Sequence, residues 1–367
     1  MGRLRVRLGR IWALLREGVE RGVFPGAVAA IFLPGSLYLS AAGWRALYPH
    51  REPNDTETLY DLASLTKPLA TTLALMKLRA EGRISLSAPL KCFFPEEFFG
   101  NDTFREISLR DILSHGAGFP AWRPYFRKLQ ERPIRERRKA LVRLILSETE
   151  AYRPGERELY SDLGFFLLGE VIVRITRTPL ERYVENVYGE LGIPELLFRP
   201  LHKGIPRERI APTELLPSAG VFLRGEVHDE NTRALGGVSG TAGLFGTARG
   251  VARLLSVFLE VWQGGKRGFL TRELLEEFWS FRRPGGTWAL GFDRPSPTGS
   301  SAGPLFPRRA LGHLGYTGCA FWLVPEEGWG AVLLTNRVHP SRENRRIRSF
   351  RPRFFSEVAI RVRRGTP

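Results

Sequence analysis

Cysteine is almost missing from this chain. Its 367 residues contain two, Cys92 and Cys319, far apart in sequence. Two thiols make neither a disulfide framework nor a metal-binding spacing. Cys92 precedes Phe93 and Phe94, so a buried thiol is expected there. Six histidines fall at spacings that carry no zinc signature. No uninterrupted apolar run approaches the roughly 20 residues that a membrane-spanning helix needs. Internal repeats and low-complexity tracts are also missing, which leaves no sign of an independent second domain.

Lysine is scarce too. Seven lysines stand among 55 basic residues, and the formal net charge is +17. Such an excess raises the question of nucleic acid. The charge is spread thinly, however, with its densest runs at Arg132 to Lys139 and Arg342 to Arg353. Neither run belongs to a recognisable nucleic-acid module, and charge runs usually form solvated helix faces. No nucleic-acid or membrane partner is expected. The N-terminus, Met1 to Gly22, is basic and then apolar around Ile11 to Leu15. Arg16 and Glu17 cut the apolar part short, and no small-residue cleavage site follows. It reads as an amphipathic helix, and the protein is expected in the cytoplasm.

What is present is a composition of 43% hydrophobic and 25% charged residues, as in soluble globular proteins. Gly26 to Leu33 and Leu37 to Ala41 flank Pro34-Gly35 and read as a β-hairpin. Ala320 to Val324 and Gly330 to Thr335 flank Pro325 to Gly328 and read as a second one. Ser64 to Gly82, Leu163 to Ile175 and Leu244 to Trp262 read as helices, and a last helix is expected from about Phe354. Residues 199 to 218 hold four prolines and read as irregular connection. Strands thus lie at both ends and helices in the middle. The pattern predicts an α/β (α+β) fold in one catalytic unit, residues 1–367. An antiparallel sheet flanked by helices would form from about 1–95 and 215–367, with an inserted all-helical lobe at about 96–214.

Three short motifs bear chemistry. The first is Ser64-Leu65-Thr66-Lys67, the only Ser-x-x-Lys in the chain. Three residues along a helix returns to the same face, so Lys67 falls beside the Ser64 hydroxyl. Pro68 is tolerated only near a first helical turn, which puts Ser64 close to a helix N-terminus. A serine hydroxyl needs a base to become a nucleophile, and a lysine serves when burial lowers its pKa. An ordinary helix cap followed by a surface lysine has the same pattern. The second motif is Tyr160-Ser161-Asp162. A tyrosine beside a lysine can pass a proton to a leaving group, and the same residues could instead cap the next helix. The third is His313-Leu314-Gly315-Tyr316-Thr317-Gly318. Its glycines allow close backbone approach, so an amide could face an oxyanion, or they could simply mark a strand edge.

The three motifs follow in the order Ser-x-x-Lys, Tyr-x-(Asn/Asp), (Lys/His)-x-Gly. Together with Ile107 to Pro120, Pro154 to Glu170, Gly225 to Thr247 and Gly312 to Trp322, this order resembles the class C β-lactamase and penicillin-binding-protein-like serine hydrolases. Related esterases and D-amino-acid peptidases belong to the same group, and the resemblance covers roughly residues 20 to 340. It implies a β-lactamase/DD-peptidase-like fold with the site between the sheet and the helical lobe. It implies Ser64 as nucleophile, Lys67 as base and Tyr160 as proton shuttle. The backbone amides of Ser64 and Tyr316 would form the oxyanion hole, and Asp162, His313, Gly315 and Thr317 would contact substrate. His228 and Asp229 either line the cleft or tie a loop. No metal or organic cofactor is implied.

Two positions depart from the family pattern. Asp162 stands where Asn is usual, and an ionised Asp only accepts hydrogen bonds. His313 stands where Lys is usual, which weakens a fixed carboxylate-binding charge. Protonation of His313 at low pH would restore part of that charge, and an arginine could replace it. The expected function is therefore acyl-enzyme hydrolysis of small esters or amides, including D-amino-acid or cell-wall-derived peptides. A β-lactamase or DD-carboxypeptidase proper, and an inactive binding protein on the same scaffold, are the rival readings.

Overall fold

The structure is a computed structural model that describes residues 2–216 and 219–363, with side chains from Leu8 onward. Strands β1 (Gly26–Leu33) and β2 (Ser36–Ala46) form the first hairpin, turned at Pro34-Gly35 with Gly35 at φ +67°. A left-handed residue is what a two-residue hairpin turn needs. Strand β3 (Glu52–Pro53) extends the edge. Strands β4 (Leu311–Leu314), β5 (Ala320–Val324) and β6 (Trp329–Thr335) come from the other end of the chain. The six run in the order β3-β2-β1-β6-β5-β4, and all pairings are antiparallel. The two terminal hairpins therefore meet at β1 and β6, with Ala29 opposite Leu333.

Alternation along the strands sends side chains to two cores. Ala27, Ala29 and Ile31 pack with Trp322 and Leu333 under α1 (Gly2–Glu20) and the C-terminal helix. Val28, Ala30 and Phe32 pack with Phe321 and Val332 in the larger core, which α6 (Ala248–Trp262) covers. That core continues through α2 (Leu73–Ala80), α3 (Ile134–Leu146), α4 (Asp162–Thr176), α5 (Leu180–Leu191) and α7 (Arg272–Ser280). Helix α4 is buried almost all round, as its run of Leu163, Phe165, Leu167, Leu168, Val171 and Ile172 requires.

Four expectations are corrected. The helix starting at Leu244 begins only at Ala248. Leu244–Gly246 is a strand, and Thr247 caps the helix by accepting from the Gly250 amide. The C-terminal helix α8 (Ile347–Arg363) starts seven residues before Phe354. Its buried stripe of Ile347, Phe350 and Phe354 outweighs the arginines around it and includes Pro352. Cys92 is exposed. It ends a 3-10 turn, Leu90–Cys92, that sends Leu90 and Phe94 inward and leaves its own side chain outside. The stretch from Ser64 to Gly82 is not one α-helix either. It is a 3-10 turn (Ala63–Leu65), a π-helical turn (Lys67–Thr72) and then α2. Pro68 has no amide to donate, and wide turns of this kind recur at functional sites.

The inserted segment 96–214 carries one short strand, Leu196–Phe198. It pairs with Leu244–Gly246, which pairs in turn with Tyr60–Asp61. This second sheet ties the helical region to the residues just before Ser64. Among the described residues no helix is long and apolar enough to cross a membrane.

The junction of the hairpins is also held by Asn336, which is buried. Its Oδ1 accepts from the Gly26 amide at 3.0 Å and its Nδ2 donates to the Arg45 carbonyl at 2.6 Å. Removing the side chain leaves one buried and one half-buried backbone group unpaired, at ~1–3 kcal/mol each. Asn336→Ala should therefore lose about 2–4 kcal/mol in urea unfolding. Asn336→Asp, which keeps the acceptor but sets a second carboxylate oxygen against the Arg45 carbonyl, should lose at least as much. A denaturation midpoint unchanged in Asn336→Ala would show that the junction does not rest on this side chain.

Candidate active site

Ser64 and Lys67 sit where the 3-10 turn gives way to the π-helical turn. The local fold is fixed from several sides. Thr66 Oγ1 donates to the Ala63 carbonyl at 2.7 Å and accepts from the Leu244 amide at 3.2 Å. Thr71 Oγ1 donates to the Gly240 carbonyl at 2.7 Å, and the Tyr188 hydroxyl donates to the Leu69 carbonyl at 2.9 Å. Lys67 is thereby drawn wholly inside, at 0% exposure. Its Nζ lies 3.1 Å from Ser64 Oγ, 2.6 Å from Asp162 Oδ1 and 3.3 Å from the Thr241 carbonyl.

An ammonium has three protons, and here each has an acceptor. Burial lowers the Lys67 pKa, and Asp162 opposes that shift. The Tyr160 ring lies under Nζ, 4.9 Å from ring centre to nitrogen. Burial and the Asp162 carboxylate raise the phenol pKa well above its ordinary value. A hydroxyl, an amine and a phenol gathered around one lysine nitrogen can exchange protons during attack on a carbonyl.

Opposite Ser64, the loop after β4 brings in Gly315 and Tyr316. The amides of Ser64 and Tyr316 donate to no other group among the described residues. Around them opens a cleft of about 750 Å³. Ala121, Trp122 and Trp288 line it, and so do Arg337, Arg342, Arg345, Arg348 and Arg351.

The family model for beta-lactamases matches residues 12–351. The chain belongs to the Beta-lactamase family. As a member of that family, with a carboxypeptidase-named relative, it is a serine hydrolase. A Salmonella enteritidis protein provisionally named D-alanyl-D-alanine carboxypeptidase is 34% identical over 316 residues, 80% of this chain and 72% of its own length. The octameric penicillin-binding protein homologue from Pyrococcus abyssi superposes with a TM-score of 0.73 at 20% identity, covering 98% of this chain and 78% of that one. EstCE1, a hydrolase with promiscuous acyltransferase activity, gives 0.72 at 21% identity, covering 95% and 99%. At these identities the two structures speak for the fold.

In this beta-lactamase-family site the structure brings together most of the residues expected from sequence and moves some of them. Ser64, Lys67, Tyr160, Asp162, Gly315, Tyr316, His228 and Asp229 all meet at the cleft. Asp162 is taken up by Lys67 and by Thr241, whose Oγ1 donates to the same oxygen at 2.9 Å. Thr317 does not face substrate. It is buried, and its hydroxyl donates to the Asp61 carbonyl at 2.8 Å. His228 both lines the cleft and ties a loop. Its amide donates to Asp61 Oδ2 at 2.7 Å, and its ring stacks 5.6 Å from that of Tyr316. Asp229 caps the short helix Glu230–Ala234, and burial beside Asp162 lifts its pKa to about 6.

Sequence reasoning missed Thr241, Trp288, Asp61 and the arginines of 337–351. Thr241 lies in a stretch that resembles the family, so its signal was present. Trp288 stands alone between loops, and nothing local marks it. A Gly-x-Ser-x-Gly match does occur at Gly299 to Gly303. It forms a turn rather than a strand-to-helix elbow, and Ser301 does not line the cleft.

His313 overturns one expectation. It is buried at 1% exposure among Tyr160 and Trp288. Its Nδ1 donates to the Leu314 carbonyl at 2.9 Å, which leaves Nε2 unprotonated and without a partner. Burial, with Lys67 nearby, pushes its pKa down to about 3. It cannot become a carboxylate-binding cation at any ordinary working pH. An unfolded histidine titrates near 6.5. Between about 6.5 and 3 the unfolded chain therefore binds the extra proton, and stability contributed by neutral His313 is lost as pH falls through that window. In an NMR titration the His313 ring protons should not shift between pH 8 and roughly pH 4. A midpoint near 6 in the folded protein would contradict this placement.

Proposed function

We propose that the protein hydrolyses short peptides or related amides and esters that end in an anionic group, D-alanyl-terminated peptides foremost, through an acyl-enzyme on Ser64. The observation that carries this reading is the composition of the cleft. Ser64 lines it with Lys67 buried behind, and Arg345 and Arg348 line the same cleft. Arg348 has no carboxylate partner among the described residues. Arg345 has only exposed Glu343, at 3.6 Å. These two charges do what a lysine at position 313 would have done. Trp122 and Trp288 provide an apolar surface for the acyl side.

In this reading Lys67, its pKa lowered by burial, takes the Ser64 proton as Oγ attacks the scissile carbonyl. The amides of Ser64 and Tyr316 receive the oxyanion. Tyr160 hands a proton to the leaving nitrogen or oxygen. Water then enters, gives up a proton by the reverse route, and releases the acid and Ser64. Asp162 holds Lys67 and Tyr160 in register rather than binding substrate. Among such substrates we include peptides released in cell-wall turnover. The carboxypeptidase name of the Salmonella relative supports the same substrate class.

The test compares kcat/KM for a D-alanyl-D-alanine peptide, its C-terminal amide and p-nitrophenyl butyrate. The free acid should exceed the amide by about tenfold or more, since a charge-assisted contact is roughly twice as strong as a neutral one. Arg345→Ala/Arg348→Ala should remove that preference and leave the uncharged ester unaffected. Ser64→Ala should cut all three by at least about a thousandfold. Equal rates on acid and amide would refute the anionic-substrate reading. Full activity in Ser64→Ala would refute the nucleophile.

A further inference from the structure

Asp61 is a buried carboxylate without a cation. It is 2% exposed and forms no ion pair among the described residues. Its two oxygens are instead divided between two backbone amides. Oδ1 accepts from Ala63 at 2.8 Å and Oδ2 from His228 at 2.7 Å. Its own carbonyl accepts from Thr317 Oγ1 at 2.8 Å. One residue thus grips three separate pieces of chain: the turn that carries Ser64, the loop of His228, and the loop of Tyr316. A carboxylate taken from water without a counter-charge is costly, so an uncompensated one calls for a reason.

The reason lies in what those three pieces carry. Ala63, the residue before Ser64, has φ +48°, a left-handed conformation that a side chain disfavours. The bond from its amide to Asp61 holds that conformation, and with it the direction of the Ser64 amide. Gly315 packs onto the same turn. A Cβ there would stand 2.7 Å from the Leu62 carbonyl oxygen, so the two loops touch. Tyr316 is then fixed from both sides of its peptide. Arg337 Nε donates to the Tyr316 carbonyl at 2.9 Å, Thr317 is tied to Asp61, and the Tyr316 ring stacks on His228, whose amide Asp61 also holds.

Resting on the assignment of the Ser64 and Tyr316 amides as the oxyanion donors, we propose that Asp61 is a positioning residue for acyl transfer. It sets the separation and aim of those two donors by clamping the turn of one to the loops of the other. Only a carboxylate can do this in place. Asparagine has the same shape, but one of its two ends donates, so it can accept from Ala63 or from His228 and must face the other with an N–H.

Asp61→Asn is therefore the test, on the full chain, with p-nitrophenyl butyrate as substrate and a boronic acid that forms a tetrahedral adduct on Ser64. Loss of aim by one oxyanion donor costs roughly a hundredfold or more in kcat. The expected result is a kcat about a hundredfold lower with KM within about twofold, and a boronate affinity weakened by a similar factor. Thr317→Val removes the hydroxyl bond to the Asp61 carbonyl and the weaker one to Cys319 Sγ, and should move kcat and boronate affinity in the same direction by about tenfold. A purely structural role for Asp61 would lower the melting temperature and leave kcat and boronate affinity of the folded fraction intact, and that result overturns the proposal. A loss confined to KM overturns it as well. If Asp61→Asn does not fold, an unchanged kcat in Thr317→Val overturns it alone. Wild-type protein that forms no adduct on Ser64 overturns the acyl-enzyme reading and this proposal together, whereas a normal adduct with insensitive variants overturns the proposal only.

Discussion

A lysine with no exposed surface is the constraint from which the rest of this site follows. Lys67 Nζ is out of water, so each of its protons must find an acceptor inside the protein. Ser64 Oγ, Asp162 Oδ1 and the Thr241 carbonyl are those acceptors. They come from three distant parts of the chain. The nucleophile turn, the start of α4 and the 239–247 loop must therefore close around one nitrogen before any of them is in working order. Burial also opposes the charged form, while Asp162 supports it. The balance leaves a lysine that can give up a proton to its surroundings and take one from the serine beside it.

Two sheets hold this arrangement in different ways. The six-stranded sheet, closed by the β1–β6 pairing, carries the Tyr316 loop on the end of β4. The small sheet of Tyr60–Asp61, Leu244–Gly246 and Leu196–Phe198 carries the approach to Ser64 and joins it to the helical region. The cleft lies where the two systems meet, which is also where Asp61 connects them. Charge is arranged with the same economy. Interior positions near the lysine are filled by neutral rings, His115, Tyr160, Trp288 and His313, which sets a low-dielectric wall beside it. Positive groups reach the cleft from the 337–351 segment, where Arg337 and Arg351 are buried and Arg345 and Arg348 are exposed.

Much of this was legible in the residues themselves. Alternating apolar runs around Pro34-Gly35 and Pro325 to Gly328 marked both hairpins, because side-chain alternation and turn chemistry are local. The spacing of Ser64 and Lys67 marked the central pair, because helical periodicity is local too. The order of the three motifs marked the family. Boundaries were less legible. A strand and a helix that share one apolar stretch, Leu244 to Trp262, cannot be separated by hydrophobicity, and only the partners of Leu244–Gly246 divide them. An apolar neighbourhood pointed Cys92 inward, yet the phase of a 3-10 turn sent it out.

The sequence by itself determined the reaction class, since the order of the Ser64, Tyr160 and His313 motifs marks the family. It also determined that position 313 would bear an imidazole and not an ammonium. Only the tertiary structure decided how that imidazole behaves, because burial and the nearness of Lys67 are long-range facts. It likewise decided that Thr317 faces Asp61, that Asp162 serves the lysine, and that arginines from beyond residue 336 face the cleft. Charge, orientation and exposure depend on which distant segments meet, and no local pattern encodes that meeting.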